Sequence, residues 1–323
     1  MNTQKKTRAL VEAALMAALI SIFTILLIYI PILTPVIFLV PVPFIILGKR
    51  QGIYFTILAV VVWGLVITSL IGLMQTIFLV LFIGIPAIAM GYMMNKSYAP
   101  YKVLAGGAVA ALLGMLLSIS LVNVLSNVNV IDQVIKQMKT AMDIYIKQME
   151  MYKDMGVEPY KIKELKESLE LFIQIIAMTI PAGMIVGSAF FVYMNYVIAI
   201  RILKRIGYKV EGLMPLRYMS LPKSFIMGTF LIVGLTAITK YLNVVDFQTL
   251  VLNEFLIFQL IYFIQGIAVV SYFLNHFKIT KVLRIFIYLL LLFSREGVLI
   301  IAVLGFIDAI INFRKLKRDK EEF

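Results

Sequence analysis

Asp308 is the residue of this chain whose type and setting most suggest chemistry. It lies in an apolar run, about one and a half helical turns before Arg314. A carboxylate at membrane depth must be paired, protonated or water-exposed. Asp308 is therefore a candidate to carry a proton or bind a coupling cation, with a structural carboxylate hydrogen-bonded to a neighbour as the plainer reading. Asn123, Gln174, Asn195, Gln259 and Gln265 are uncharged polar residues in similar apolar surroundings. Such residues either line a solute pocket or make interhelical hydrogen bonds worth about 1 kcal/mol each, which account for them without a ligand.

Other chemistry is poorly provided for. The chain has no cysteine and a single histidine, His276, which leaves no thiolate or His-rich metal set and no thiol nucleophile. No serine stands in a Gly-x-Ser-x-Gly context, and no Gly-rich Lys-Ser/Thr loop is present to cradle phosphates. The expectation is a protein without catalytic residues, metal or cofactor.

Two patterns point instead to contacts. Ala13/Ala17 and Ala14/Ala18 give two adjacent small faces, suited either to docking another membrane subunit or to internal helix packing. Gly106, Ala110, Gly114 and Ser118, and likewise Gly183 with Gly187, read as packing. Further on, Ile135, Met138, Met142, Tyr145, Met149 and Tyr152 recur at alternating three- and four-residue steps, a heptad seam. After a break at Gly156–Pro159, Ile162, Leu165, Leu169, Phe172 and Ile176 resume that spacing. A helical hairpin follows, whose second arm continues into an apolar segment. Its Met- and Tyr-rich seam either pairs the two arms or grips a partner, for which pliable methionines suit.

The elements that must carry these residues are membrane helices. Hydrophobic residues make up 62% of the 323 and the mean hydropathy is +0.99, far above a soluble domain at roughly 45–50% apolar. Apolar runs of about 20 residues match a bilayer core of about 30 Å, which only helices or closed barrels cross. The fold class is all-α, a polytopic bundle of about ten spans. Residues 10–30, 33–47, 53–70, 73–94 and 103–125 give the first five, with the second kinked or partly unwound by Pro35, Pro41 and Pro43. The sixth ends at residue 200, and 225–240 and 255–277 follow. The stretch 285–313, interrupted by Ser294-Arg295-Glu296-Gly297, is one overlong helix, two short ones or a re-entrant pair. Glu12 is expected to pair with Arg8 one turn earlier.

The net charge is +13, but the basic residues stand in short clusters between apolar runs, a pattern of membrane topology rather than nucleic-acid binding. The positive-inside rule places both termini in the cytoplasm and the hairpin outside, where seven lysines roughly balance eight acids. Two parts result: residues 1–206, six spans with the hairpin at 130–171, and residues 207–323, about four spans and a basic tail.

Over nearly its full length the chain resembles the YybS-like family of bacterial membrane proteins. An Ala-rich first helix, a Pro-rich second, a charged insert before the sixth, and Gly305-Phe306-Ile307-Asp308 followed by Asn312-Phe313-Arg314 carry the likeness. This resemblance implies membrane residence and no particular activity. The first six spans also resemble the substrate-binding S components of energy-coupling-factor transporters, through Ala13-Ala14-Leu15-Met16-Ala17-Ala18 and the passage from Pro35 to Gly52. That likeness implies a solute pocket near Asn123 and Gln174 and a docked coupling subunit. The expected function is a non-enzymatic membrane scaffold or regulator acting through its hairpin and basic loops; the alternative is a solute-binding transport component. Its partners would be the lipid bilayer and either another membrane protein or a second copy of itself.

Overall fold

A computed structural model of the chain describes residues 3–151, 158–242 and 246–316. Those residues form helices and connecting turns, with no strand among them. Eight helical stretches among them are long and apolar enough to cross a membrane, and a further pair is sharply bent. The protein is a multi-pass α-helical membrane protein. Its packing divides it into two compact units, Met1–Ala177 with Gly183–Gly212, and Met178–Ala182 with Leu213–Phe323.

In the first unit, α1 (Thr3–Tyr29) turns Ala9, Ala13, Ala17, Ile20, Thr24 and Leu27 inward. Residues three and four apart share a face, and alanines let α1 lie close against α3 (Ile53–Ile71). Trp63 of α3 is fully buried there; its indole N–H donates to Thr24 Oγ1 at 3.1 Å. Phe44 of α2 (Pro41–Gln51) packs on the same ring at 5.4 Å. The segment before α2 is a 3-10 helix, Pro31–Leu39, so the prolines unwind the entry to the second span.

The fourth span consists of α4 (Leu73–Leu79), a π-helical turn at Val80–Gly84 and α5 (Ile85–Asn95). Pro86 has no N–H for the preceding turn, and the helix widens there. Gly114 of α6 (Pro100–Ser126) backs onto the Leu81 carbonyl so closely that any side chain would collide with it. Glu12 does not pair with Arg8. It forms an ion pair with Arg50 at 2.8 Å and accepts from Gln51 Nε2 at 2.7 Å, which ties α1 to the end of α2.

The charged hairpin is α7 (Val130–Met151) and the first part of α8 (Pro159–Arg205). At 47 residues α8 is about 70 Å long, over twice the bilayer core. The seam differs from a strict heptad. Ile146, not Tyr145, is buried on α7, and Ile173, not Phe172, on α8, while Tyr145 and Phe172 are 46% and 57% exposed. A straight helix drifts by about 20° per heptad, so a 3.6-residue repeat carries the covered face to Ile146 and Ile173. Burial of Ile146 and Ile162 is what two arms packed on each other produce.

The second unit holds α9 (Lys223–Leu242), α10 (Phe247–His276), α11 (Lys281–Phe293) and α12 (Arg295–Ile311). The span expected to begin at residue 255 begins two turns earlier, where the Asp246 carboxylate caps α10 by accepting from Thr249 N–H at 2.8 Å. Asn253 and Glu254 had masked this start, because polar residues depress the local hydropathy.

The last apolar stretch forms two short helices of 13 and 17 residues. α11 and α12 meet at an angle of 102°. Arg284 of α11 donates to Leu274 and Ile279 carbonyls, and Phe313, just past α12, stacks on Phe273 of α10 at 6.1 Å. Both ends of the bent pair therefore lie at the same end of α10, the arrangement of a re-entrant element. α12 runs in the same direction as α10, and at 17 residues against 30 it starts well inside the length of its neighbour. The two helices cross at Gly266 and Gly305, where a side chain on either would overlap the other backbone.

Candidate functional site

The expected chemical residue, Asp308, is fully buried, and so is Arg314 at 3% exposure. Arg314 donates from Nε and a terminal nitrogen to Asp308 Oδ2 at 3.0 and 2.7 Å, and Gln265 Nε2 adds a third hydrogen bond at 2.8 Å. The remaining Arg314 donors reach the carbonyls of Arg217 and Met219 at 3.0 and 2.7 Å. Asn312 is in the left-handed conformation at φ 51°, ending α12 and letting the chain fold back to bring Arg314 under Asp308. The arrangement locks the end of α12 to the loop before α9. It gives Asp308 a guanidinium counter-ion.

The two polar candidates of the first unit differ in setting. Asn123 Oδ1 accepts from Val130 N–H at 2.9 Å and so caps the start of α7. Gln174 is exposed on α8. Neither lines a cavity described below. Asn195 is buried and donates to the carbonyls of Phe38 and Phe191 at 2.9 and 2.8 Å, serving backbone left open by the 3-10 segment. The small faces of α1 separate: Ala13 and Ala17 are inside, whereas Ala14 and Ala18 face outward among exposed Leu10, Leu15 and Leu19. On the hairpin, Met138, Met142 and Met149 are half-buried in the seam and Tyr145 is outside it. Tyr152 falls outside the described residues.

Glu254, just outside the apolar run that begins at residue 255, has the most suggestive setting. Glu254 lies two turns inside α10, lining a cavity of about 460 Å³ in the second unit. Its Oε1 is shielded from solvent and has no hydrogen-bond partner among the described residues. Around it are Phe247, Phe255, Phe258, Tyr262 and Phe306, with Val233 and Val303. The space exists because α12 is shorter than α10 and leaves the Phe247 end of α10 uncovered. Tyr262 is held by a hydroxyl contact with Thr229 at 2.8 Å and an edge contact with Phe306 at 5.0 Å. The one charged group among the residues lining this cavity is the Glu254 carboxylate. The Asp246 cap was the sequence signal that could have found it, by setting the start of α10 before Glu254.

No group of three or more His, Cys, Asp or Glu residues capable of holding a metal occurs among the described residues.

Comparison with known proteins matches the model of a family described as "Predicted membrane protein (DUF2232)" over residues 18–309. A Bacillus subtilis (strain 168) protein described as "Uncharacterized protein YybS" is 24% identical over 309 residues, covering 94% of this chain and 96% of that protein. No solved structure matches the chain.

Proposed function

The chain belongs to the DUF2232 family of predicted membrane proteins, and from that premise we propose that it is a non-enzymatic membrane protein that binds a small apolar organic cation in its second unit. The observation that carries this reading is Glu254 Oε1, without a hydrogen-bond partner among the described residues, in an aromatic cavity of about 460 Å³. A carboxylate in such surroundings calls for a positive partner, and aromatic faces attract the same charge. The volume is that of a drug-sized ligand site. Lys240, whose ammonium lies 5.8 Å over the Phe247 ring, is at the end of α9 and exposed. This role agrees with a solute-binding transport component, but draws on the second unit rather than on Asn123 and Gln174.

The test is equilibrium dialysis of tetraphenylphosphonium against the full chain in lipid nanodiscs. Glu254→Gln and the cavity-filling Val303→Trp should each weaken binding about tenfold or more. Absent binding to the wild type, or equal binding to Glu254→Gln, would overturn the reading.

A second reading, the scaffold or regulator working through its hairpin, is favoured by a separate observation. Beyond the covered seam, Val134, Ile144, Tyr145 and Tyr160 leave large apolar side chains bare on a charged segment. Crosslinking from Tyr145 in native membranes to a protein partner, lost with Ile144→Lys, would support it.

A further inference from the structure

A second cavity, of about 490 Å³, lies in the first unit where three helix ends converge. α5 and α8 both end in the same left-handed turn. Ser97 at φ 58° lets Tyr98 N–H reach the Met93 carbonyl at 3.0 Å, and Gly207 at φ 88° lets Tyr208 N–H reach Leu203 at 2.9 Å. These turns bring Ser97 and Tyr98 from one side, and Tyr208 and Lys209 from the other, around Lys204 in the last turn of α8. The end of α2 adds Lys49.

Lys49 is already committed. Its ammonium donates to the Met94 carbonyl at 2.7 Å, while Asn95 Nδ2 donates back to the Lys49 carbonyl at 2.9 Å. A lysine on a helix C-terminus is ordinary dipole compensation. Lys204 and Lys209 are different: both are exposed, both line the cavity, and neither has an ion pair among the described residues. One acid, Glu211, lines the same space, so three lysines outnumber it. Arg50, already paired with Glu12, lies beside the rim 5.9 Å from the centre of the Tyr208 ring.

We propose that this cavity binds the phosphate of an anionic phospholipid headgroup, with Lys204 and Lys209 as the charge partners and the Ser97, Tyr98 and Tyr208 hydroxyls as donors. The cavity lies at the end of the bundle where α2, α5 and α8 stop, the depth at which tyrosines accumulate at a membrane interface. Lysine clusters just beyond membrane helices recognise anionic headgroups in this way. The site is independent of Glu254, which belongs to the other unit.

The experiment is native mass spectrometry of the full chain released from nanodiscs containing phosphatidylglycerol in phosphatidylcholine. It compares the wild type, Lys204→Gln with Lys209→Gln, and a control carrying Lys161→Gln with Lys163→Gln on the hairpin. All three are first checked for equal thermal unfolding; if the site variant fails that check, the milder Lys209→Gln alone takes its place. Loss of the two site lysines should lower phosphatidylglycerol retention about thirtyfold, the effect of two basic residues near an anionic surface, with the control unchanged. Equal loss in both variants, or none in either, would overturn the site. A second arm adds inorganic phosphate at about ten millimolar, chosen to exceed a weak anion affinity. Retention unaffected by phosphate supports the lipid, whereas displacement overturns the lipid assignment in favour of a soluble phosphate.

Discussion

Asn253 and Pro181 are the two parts of one repair. The Asn253 amide donates from Nδ2 to the Met178 carbonyl and accepts at Oδ1 from the Ala182 N–H, both at 2.7 Å, so it spans the helical rung beside the proline in α8. Pro181 lacks the N–H that would serve the Ala177 carbonyl and its ring disturbs the turn there, and Asn253 serves the two backbone groups of the adjacent rung, Met178 and Ala182. Asn253→Leu should therefore cost about 2 kcal/mol, the penalty of stranding two backbone groups. In a Pro181→Ala background, where α8 can close its own rung, the same change should cost no more than half as much. Unfolding in mixed micelles measures both, and equal costs in the two backgrounds would show the contact to be incidental.

The Asp308–Arg314 pair gives a different signature. Both side chains are fully buried, so removing one partner leaves an uncompensated charge. Arg314→Gln should destabilise by about 3–5 kcal/mol. Arg314→Met combined with Asp308→Leu should be milder than the single change, because no charge is stranded. A double variant as unstable as the single would mean that packing, not charge, dominates the site.

At the crossing of α10 and α12, Gly305→Ala introduces a methyl group directly against the Tyr262 carbonyl. The helices must separate, at a cost of about 1–3 kcal/mol or more. Gly183→Ala, which meets nothing nearby, is the matched control, expected to be neutral or slightly stabilising through helix propensity. Thermal unfolding of the pair tells the two situations apart.

The hairpin distinguishes seam from surface. Ile146→Asp buries a charge between the arms and should open them, at about 2–4 kcal/mol, making residues 130–151 protease-sensitive in limited digestion. Tyr145→Ala should leave cleavage unchanged, since Tyr145 is 46% exposed.

The cap of α10 should respond to acid. Hydrogen bonds from the Thr249 hydroxyl and backbone N–H hold the Asp246 carboxyl below its ordinary value. A carboxylate with a depressed folded-state pKa contributes stability above its unfolded pKa and loses it as pH falls through the folded value. Protection of the Thr249 amide from hydrogen exchange, corrected for intrinsic rate, should fall in acid below the usual aspartate range. In Asp246→Ala that protection should be low at every pH; a persisting acid step in this variant would assign the effect to another group.

The sequence by itself determined the helical class, the first six membrane segments and the hairpin, because hydropathy and the spacing of apolar residues are local properties that the bilayer converts directly into helices. It also indicated a partly unwound second span from Pro35, Pro41 and Pro43, since a missing N–H needs no partner to act, and the unwinding lies at Pro31–Leu39. What it could not determine depended on residues far apart in the chain. Tertiary structure gave Glu12 to Arg50 rather than Arg8, fixed Arg314 beneath Asp308, moved the seam to Ile146, and folded α11 and α12 into a bent pair beside α10. It also placed Glu254 inside α10 as the charged wall of a cavity. The physical reason is that a polar group inside a membrane is defined by what satisfies it, and its partner is chosen by helix packing, which no local window of sequence contains.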